Sequence, residues 1–482
     1  MRVSKRFDTT LLALWALPVA LLLALFVGPI LRHGMFIDGL AYTNAAKNMA
    51  VGIGSFWTPS INGPGTVFYG HPPLLLYLES LFFRVFGNHL HTEDLYNATV
   101  LGLTLAVTYR LWRRLAGPER RGLFFFPLLL FVLNQETQLR YPNTLLECGL
   151  TLILLAATLL YFHWARERRI LALGAIGVGV FLGFLAKGPA ALFLLALPFV
   201  YRLLQDRQWS WMALLLPVIV TTGCAATLVV LSPAATDFFL TYLDHQVWTA
   251  LSGRATENVA DARYAILLSL VKANIAGLLL CTALLAVPRT PTNAHQRIGW
   301  TLLLIGCAAV VPYVISTKQA AYYQLPAVPF LSLGAGLLLA DRLATVVGYL
   351  RGHAGVRRFS PYVAALLVLA TCGYAVSLWG TVDRRDREAW RQSDALVGIL
   401  DSLDAATYYL RVAGTPDSLT SPLSYPLTGT LNRRYDVFAA ESPAGVPVLW
   451  IAEPPASLPA GNHRVLYAEP NLRLEIPSGL AQ

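Results

Sequence analysis

The sequence predicts a mainly α-helical membrane protein. It should be a bundle of about 11–13 transmembrane helices, with amphipathic interfacial helices in the first outer loop and a small C-terminal α/β domain outside the membrane. Three observations predict this. Only 13% of the 482 residues are charged and 56% are hydrophobic, for a mean hydropathy of +0.54. A soluble domain carries about 25% charged residues, so this chain cannot cover a water-facing surface. Runs of about 20 apolar residues recur along the chain, the length that spans a bilayer as helix. Such runs must be helical, because lipid satisfies no backbone polar group. After Trp379 the texture changes to ordinary charge content and turn-rich, alternating segments, which divides the chain into 1–380 and 381–482.

The elements follow in order. Arg2, Lys5 and Arg6 hold the amino terminus in the cytoplasm. The apolar run 11–30 is long for a signal peptide and has no small-residue cleavage site, so it reads as a retained helix. It delivers Asp38 to the outside. Residues 32–93 then form a long outer loop, in which "YTNAAKNMAVGIG" and "PLLLYLESLFFRVFG" read as interfacial helices. Further spans are expected at 95–115, 122–134, 144–164, 170–186, 189–204, 210–231, 263–287, 298–316, 322–341 and 361–380. The connections assigned to the cytoplasm carry Arg110, Arg113, Arg114, Arg120 and Arg121, then Arg166, Arg168 and Arg169, then Arg202 and Arg207, then Arg289 and Arg297, then Arg342, Arg351, Arg357 and Arg358. That is a positive-inside pattern. It also accounts for the net charge of +10 without nucleic acid. In the tail, "AWRQSDALVGILDSLD" reads as a helix, and "TYYLRVAG", "VPVLWIAEP" and "HRVLYAEPNLRLEI" read as strands.

The five cysteines all lie in apolar runs and read as packing residues, not a disulfide set or a metal cluster. Polar residues in unexpected places carry more information. This topology gathers Asp38, Tyr42, His71, Arg140, Glu147, Lys187, Asp244, His245, Lys318, Tyr322 and Tyr323 at the outer face. Ionisable groups at membrane depth are costly, and their clustering on one side points to a site. Asp38 serves equally as a helix cap or as a catalytic base. His71 stands before Pro72-Pro73, which holds it in extended geometry on a rigid mount. Lys187 precedes Gly-Pro at a helix break. Lys187 and Lys318 both violate the positive-inside rule, which suggests a fixed anion such as a lipid-linked phosphate. Asp244-His245 offers an adjacent carboxylate and imidazole for a metal or for acid–base work. Arg140 and Glu147 flank a helix start and could pair with each other.

Taken in sequence, Asp38-Gly-Leu-Ala-Tyr42, His71-Pro-Pro-Leu, Arg140…Asn143-Thr-Leu-Leu-Glu147, Gly-Phe-Leu-Ala-Lys187-Gly-Pro, Asp244-His245 and Ser316-Thr-Lys318…Tyr323-Gln-Leu-Pro resemble one family. It is the multi-pass GT-C glycosyltransferases of the protein O-mannosyltransferase and aminoarabinose-transferase type. The resemblance runs from about residue 30 to 345. It implies an inner-membrane enzyme that moves a sugar from a polyprenyl-phosphate donor to a lipid, glycan or protein acceptor at the outer face, with inversion. It implies Asp38 as the catalytic carboxylate, with Glu147 and Asp244 as candidate second carboxylates. His71, Lys187, Lys318, Arg140 and Tyr323 become candidate donor-phosphate ligands, with Tyr42 beside Asp38. His245, with Asp244, becomes the candidate ligand of a divalent metal ion. The chain departs from the family at Gly39, Gly70 and Asn143, where relatives often carry acids, and this weakens the case for metal. A transporter or flippase of lipid-linked sugars is the rival reading. It is less favoured because no internal repeat is visible and the charges cluster at one face.

Overall fold

The structure, a computed structural model, describes residues 8–254, 259–260, 262–288, 295–401, 409–413, 425–439, 448–451, 463–469 and 472–477. Arg2, Lys5, Arg6 and Arg289, and the edges of the expected C-terminal segments, lie outside the described residues.

The first span begins at Thr9, where Asp8 caps the helix by accepting from the Leu11 backbone N–H at 3.1 Å. It runs through a π-helical stretch, Leu23–Val27, to Ile30. Antiparallel neighbours then assemble the bundle. Helix Leu146–Trp164 packs on Arg169–Lys187, and Gln296–Ile315 packs on Val328–Gly352. The last span, Ala354–Ser377, packs on the first. Small residues set the close approaches: a Cβ on Gly179 would lie 2.3 Å from that of Ala157. This is the packing lipid favours, since apolar burial alone does not draw membrane helices together.

Seven helical stretches among the described residues are long and apolar enough to cross a membrane, or eight if Ala265–Ala273 and Ile275–Leu285, bent by 67°, form one span. The expected 11–13 counted segments that this criterion omits or merges. Thr92–Leu115 is long enough but begins with Glu93 and Asp94 and ends in arginines. The 122–134 segment is a 3-10 turn, Pro118–Phe124, joined to the short helix Phe125–Leu133. Arg169–Asp206 is one continuous helical stretch of 38 residues, yet it folds back on itself at Gly188. Gly188 has φ +67, and a Cβ there would meet the Tyr242 hydroxyl at 2.1 Å, so only glycine fits this break.

The two helices of the loop after the first span behave differently from each other. Leu74–Phe86 is amphipathic as expected, with Leu78, Leu81, Val85 and Phe86 exposed and Leu75, Leu76, Glu79 and Phe83 buried. Ile37–Ala50 is not interfacial. Its residues from Thr43 to Met49 are all buried. Its polar side faces the helix Tyr425–Tyr435, which the sequence reading did not anticipate. Asn44 donates to the Gly429 carbonyl at 2.9 Å and to the Tyr425 hydroxyl at 3.2 Å. Lys47 donates to the Asn432 carbonyl, to Asn432 Oδ1 at 2.7 Å and to Asp436 Oδ1 at 2.6 Å. Arg433 pairs with Glu93 and donates to the His89 carbonyl at 2.7 Å.

The C-terminal region has the expected α/β character. Helix Arg387–Asp401 precedes five strands: β1 (Tyr409–Ala413), β2 (Phe438–Ala439), β3 (Val448–Ile451), β4 (His463–Glu469) and β5 (Leu472–Pro477). Their order is β2-β1-β3-β5-β4. β1 is parallel to β2 and β3, and β5 runs antiparallel to both β3 and β4. Leu396, Leu400, Leu427, Leu431 and Leu474 form its apolar core.

Candidate active site

One cavity of about 790 Å³ opens where the loop after the first span, the 316–323 segment and the helix Tyr425–Tyr435 meet. Asp38, Tyr42, Tyr69, His71, His245, Gln246, Lys318, Tyr322, Tyr323 and Tyr425 are among its walls. Thr92–Leu115 carries Arg113 and Arg114 in its last turn, about 36 Å from its first residue.

Asp38 sits in the first turn of Ile37–Ala50, whose N-cap is Phe36. It does not cap the helix. As the second residue of the helix it lies inside the first turn, and the N-cap residue is Phe36, whose backbone N–H donates to Asn143 Oδ1. Gly39 permits the approach: a Cβ there would lie 2.0 Å from the Asn143 carbonyl oxygen. The two departures from the family pattern, Gly39 and Asn143, are therefore in contact with each other. The Asp38 carboxylate faces the cavity and accepts from the Tyr322 hydroxyl at 3.0 Å.

His71 lies in the same cavity with its ring against Tyr42 (5.5 Å between centroids) and Phe68 (6.2 Å). Burial pushes its pKa well below the usual histidine range, and the Lys187 and Lys318 charges push the same way. Without an anion it is neutral. Lys318 reaches the cavity from the loop after Gln296–Ile315 and donates to Gln246 Oε1 at 3.1 Å. Among the described residues that is its one side-chain partner, and it is neutral, which leaves most of the capacity of an ammonium for something else.

Lys187 and Glu147 lie behind the wall. They form a buried ion pair at 2.7 Å, with side-chain exposures of 5% and 2%. The pair is close but not aligned for a hydrogen bond, and Glu147 Oε2 has no hydrogen-bond partner among the described residues. The Lys187 ammonium sits 5.8–5.9 Å from the ring centroids of Tyr42, Tyr322 and Tyr323, the rings that separate it from the cavity. Arg140 also lies behind the wall. It pairs with Glu136 at 3.0 Å, one helical turn away, and not with Glu147. Its guanidinium stacks over Phe36 and Tyr322.

Asp244 and His245 part company. Both are on the π-helical turn Leu243–Trp248, where adjacent side chains point in different directions. His245 lines the cavity, whereas Asp244 is exposed and does not. Among the described residues His245 belongs to no cluster of metal-ligand spacing, and Lys318 and Gln246 share the cavity wall with it. Among the described residues, the one His/Asp cluster with metal-ligand spacing is His33, His91 and Asp94, elsewhere in the fold.

The sequence reading missed Tyr425, Tyr69 and Gln246. Tyr425 is 2% exposed and donates to the Ile61 carbonyl at 3.3 Å. Its segment, "YPLTGTLNRRY", contains proline, glycine and two threonines, and carries no strong helical signal.

With this geometry in view, the comparisons with known proteins become informative. The family model of dolichyl-phosphate-mannose-protein mannosyltransferases matches residues 70–236. An undecaprenyl phosphate-alpha-4-amino-4-deoxy-L-arabinose arabinosyl transferase of Pseudomonas fluorescens is 24% identical over 367 residues, 74% of this chain and 65% of that protein. An uncharacterized protein of Aquifex aeolicus is 31% identical over 166 residues, 34% of this chain and 32% of that protein. The matches thus span less than two thirds of either curated relative. In fold, the chain is similar to ArnT from Cupriavidus metallidurans. The TM-score is 0.65 for its apo structure, covering 97% of this chain and 98% of that one. It is 0.63 for the structure bound to undecaprenyl phosphate, covering 95% and 97%, and sequence identity is 16% in both. The resemblance to multi-pass GT-C glycosyltransferases of this type is borne out, in sequence over part of the chain and in fold over nearly all of it.

Proposed function

We propose that the chain is an integral membrane glycosyltransferase that takes a sugar from a polyprenyl-phosphate donor and passes it to a lipid, glycan or protein acceptor. The observation that carries this is the cavity itself. It combines a carboxylate, Asp38, with an ammonium held by a neutral amide, Lys318, and a half-buried imidazole, His71. The fold it sits in is shared with a protein solved with undecaprenyl phosphate bound.

The chemistry follows from the donor. The acceptor oxygen attacks the anomeric carbon, and the bond from that carbon to the phosphate oxygen breaks. The acceptor proton passes to Asp38, which Tyr322 orients. Lys318 and His71 meet the charge that develops on the departing lipid phosphate. A bound phosphate would favour protonation of His71, so donor binding takes up a proton there. Lys187, paired with Glu147, acts from behind by holding the Tyr42, Tyr322 and Tyr323 rings, without touching the donor. Attack opposite the leaving phosphate inverts the anomeric centre. The cavity then faces the outside of the cytoplasmic membrane, with the arginine-rich end inside.

The test is acceptor-dependent release of polyprenyl phosphate by purified protein given defined polyprenyl-phosphate sugars. Asp38→Asn should bind the donor normally and transfer sugar about 10²–10⁴-fold more slowly in a single turnover. Normal transfer by that variant removes Asp38 from the chemistry. If vesicles containing the protein move the lipid-linked sugar across the bilayer without releasing polyprenyl phosphate, the chain is a flippase and not a transferase.

A further inference from the structure

A second group of ligating side chains lies outside the cavity, on the other side of Ile37, which borders both spaces. His33 follows the first span. His91 and Asp94 are the N-cap residue and the third residue of Thr92–Leu115. One ligand atom from each of the three falls within 4.8 Å of the others. The imidazoles of His33 and His91 face one another at 4.8 Å between centroids, and His91 Nδ1 lies 2.8 Å from Asp94 Oδ2.

We infer that His33, His91 and Asp94 bind a divalent transition-metal ion, of which zinc is the best fit. Two imidazoles and a carboxylate are three ligands of a tetrahedral zinc site, and neutral imidazole favours such metals over calcium or magnesium. The fourth position opens on a cavity of about 110 Å³, large enough for water. Arg385, Arg433 and Arg434 border the same cavity, but each is committed to a carboxylate: Asp386, Glu93 and Asp394 respectively. Trp390 stacks on His33 at 5.1 Å, and Trp379 meets the edge of His91, so both rings are held in place.

The site's location gives the ion its role. His33 also exchanges backbone hydrogen bonds with Thr381 and Asp383, each at 2.8 Å, and Arg32 pairs with Asp383. The ion would tie together the outer ends of the first span and Thr92–Leu115, where the chain leaves the last span for the C-terminal region. It bridges these segments outside the transfer cavity.

The test uses the full-length protein in detergent, without a histidine tag, stripped with a chelator and titrated calorimetrically with zinc. Cobalt, titrated in parallel, reports coordination by its absorption. One equivalent of zinc should bind, and cobalt should show the intense visible bands of a tetrahedral site. His33→Gln, His91→Gln and Asp94→Asn should each weaken zinc binding at least tenfold, on the order of the cost of disturbing a metal's supporting shell. His71→Gln and His245→Gln should leave it unchanged. His91 is exposed, so its substitution leaves the fold standing and keeps the test decisive. Absence of zinc binding, binding unaffected by His91→Gln, or binding lost on His245→Gln would each overturn the inference.

Discussion

The Lys187–Glu147 pair shows how burial changes a residue's meaning. On sequence alone Lys187 reads as a candidate donor-phosphate ligand at a helix break. In the structure it is paired and shut behind three tyrosines. Removing one member of a buried pair strands the other charge, at a cost of about 3–5 kcal/mol. Lys187→Ala should therefore lower the thermal midpoint in detergent sharply. The double variant Lys187→Met/Glu147→Gln should recover most of the loss while transfer stays impaired. If the single variant is as stable as wild type, the pair carries no such burden. Glu79 offers a second test at this scale. Burial pushes its pKa up to about 8, although Thr43 donates to it at 2.8 Å. Its folded pKa lies above its unfolded value of 4.5, so the folded state holds the extra proton between the two. Stability is fully present below pH 4.5 and falls as pH rises toward 8, by at most about 1.4 kcal/mol per pH unit. Glu79→Gln should flatten that part of the profile of thermal midpoint against pH. A slope unchanged in the variant would assign it to another group.

At the scale of elements, the contact between Ile37–Ala50 and Tyr425–Tyr435 stands out. The first helix reads as interfacial because it is small-residue-rich and weakly charged, with Asn44, Lys47 and Asn48 on one side. Those three side chains find protein partners where the sequence reading placed water: Asn44 and Lys47 bond to the C-terminal helix, and Asn48 donates to the Ser60 carbonyl at 3.0 Å. A polar helix face looks the same in sequence whether it meets solvent or a complementary polar helix. Lys47→Met should loosen this docking, because each hydrogen bond to a charged group is worth about 1.5–3 kcal/mol. Backbone hydrogen exchange across residues 425–435 should rise at least tenfold, with the bundle unaffected. Unchanged exchange would mean that apolar contacts hold the helix without Lys47.

For the whole molecule, the polarity of the bundle yields the broadest prediction. In a variant lacking the native cysteines, Arg384→Cys should react with an impermeant thiol reagent added outside intact cells. Glu167→Cys should react only after the cells are opened. Both positions are exposed. The reverse pattern would put the cavity in the cytoplasm and remove the argument for an outer-face donor. The fold similarity to ArnT extends across nearly the whole chain, so the C-terminal region is part of the shared architecture and supplies Tyr425 to the cavity wall.

Hydropathy, arginine placement and the change of texture after Trp379 determined the helical membrane class and the α/β tail, because bilayer thickness and the cost of burying backbone polar groups act on any apolar run wherever it lies in the fold. Isolated polar residues such as Asp38, His71 and Lys318 were legible as site candidates for the same reason: each is expensive where it stands. Their division of labour was not legible. Whether Asp38 capped its helix or stood inside it depended on where that helix begins, and Asn143, 105 positions away in the chain, packs there against Gly39 and accepts from the Phe36 N–H. Whether Arg140 paired with Glu136 or Glu147, whether Asp244 faced the cavity beside His245, and whether His33 met His91 depended on which helix ends come together. Capping, ion pairing and metal spacing all act over a few ångströms between segments remote in sequence, and only the packed bundle sets those distances.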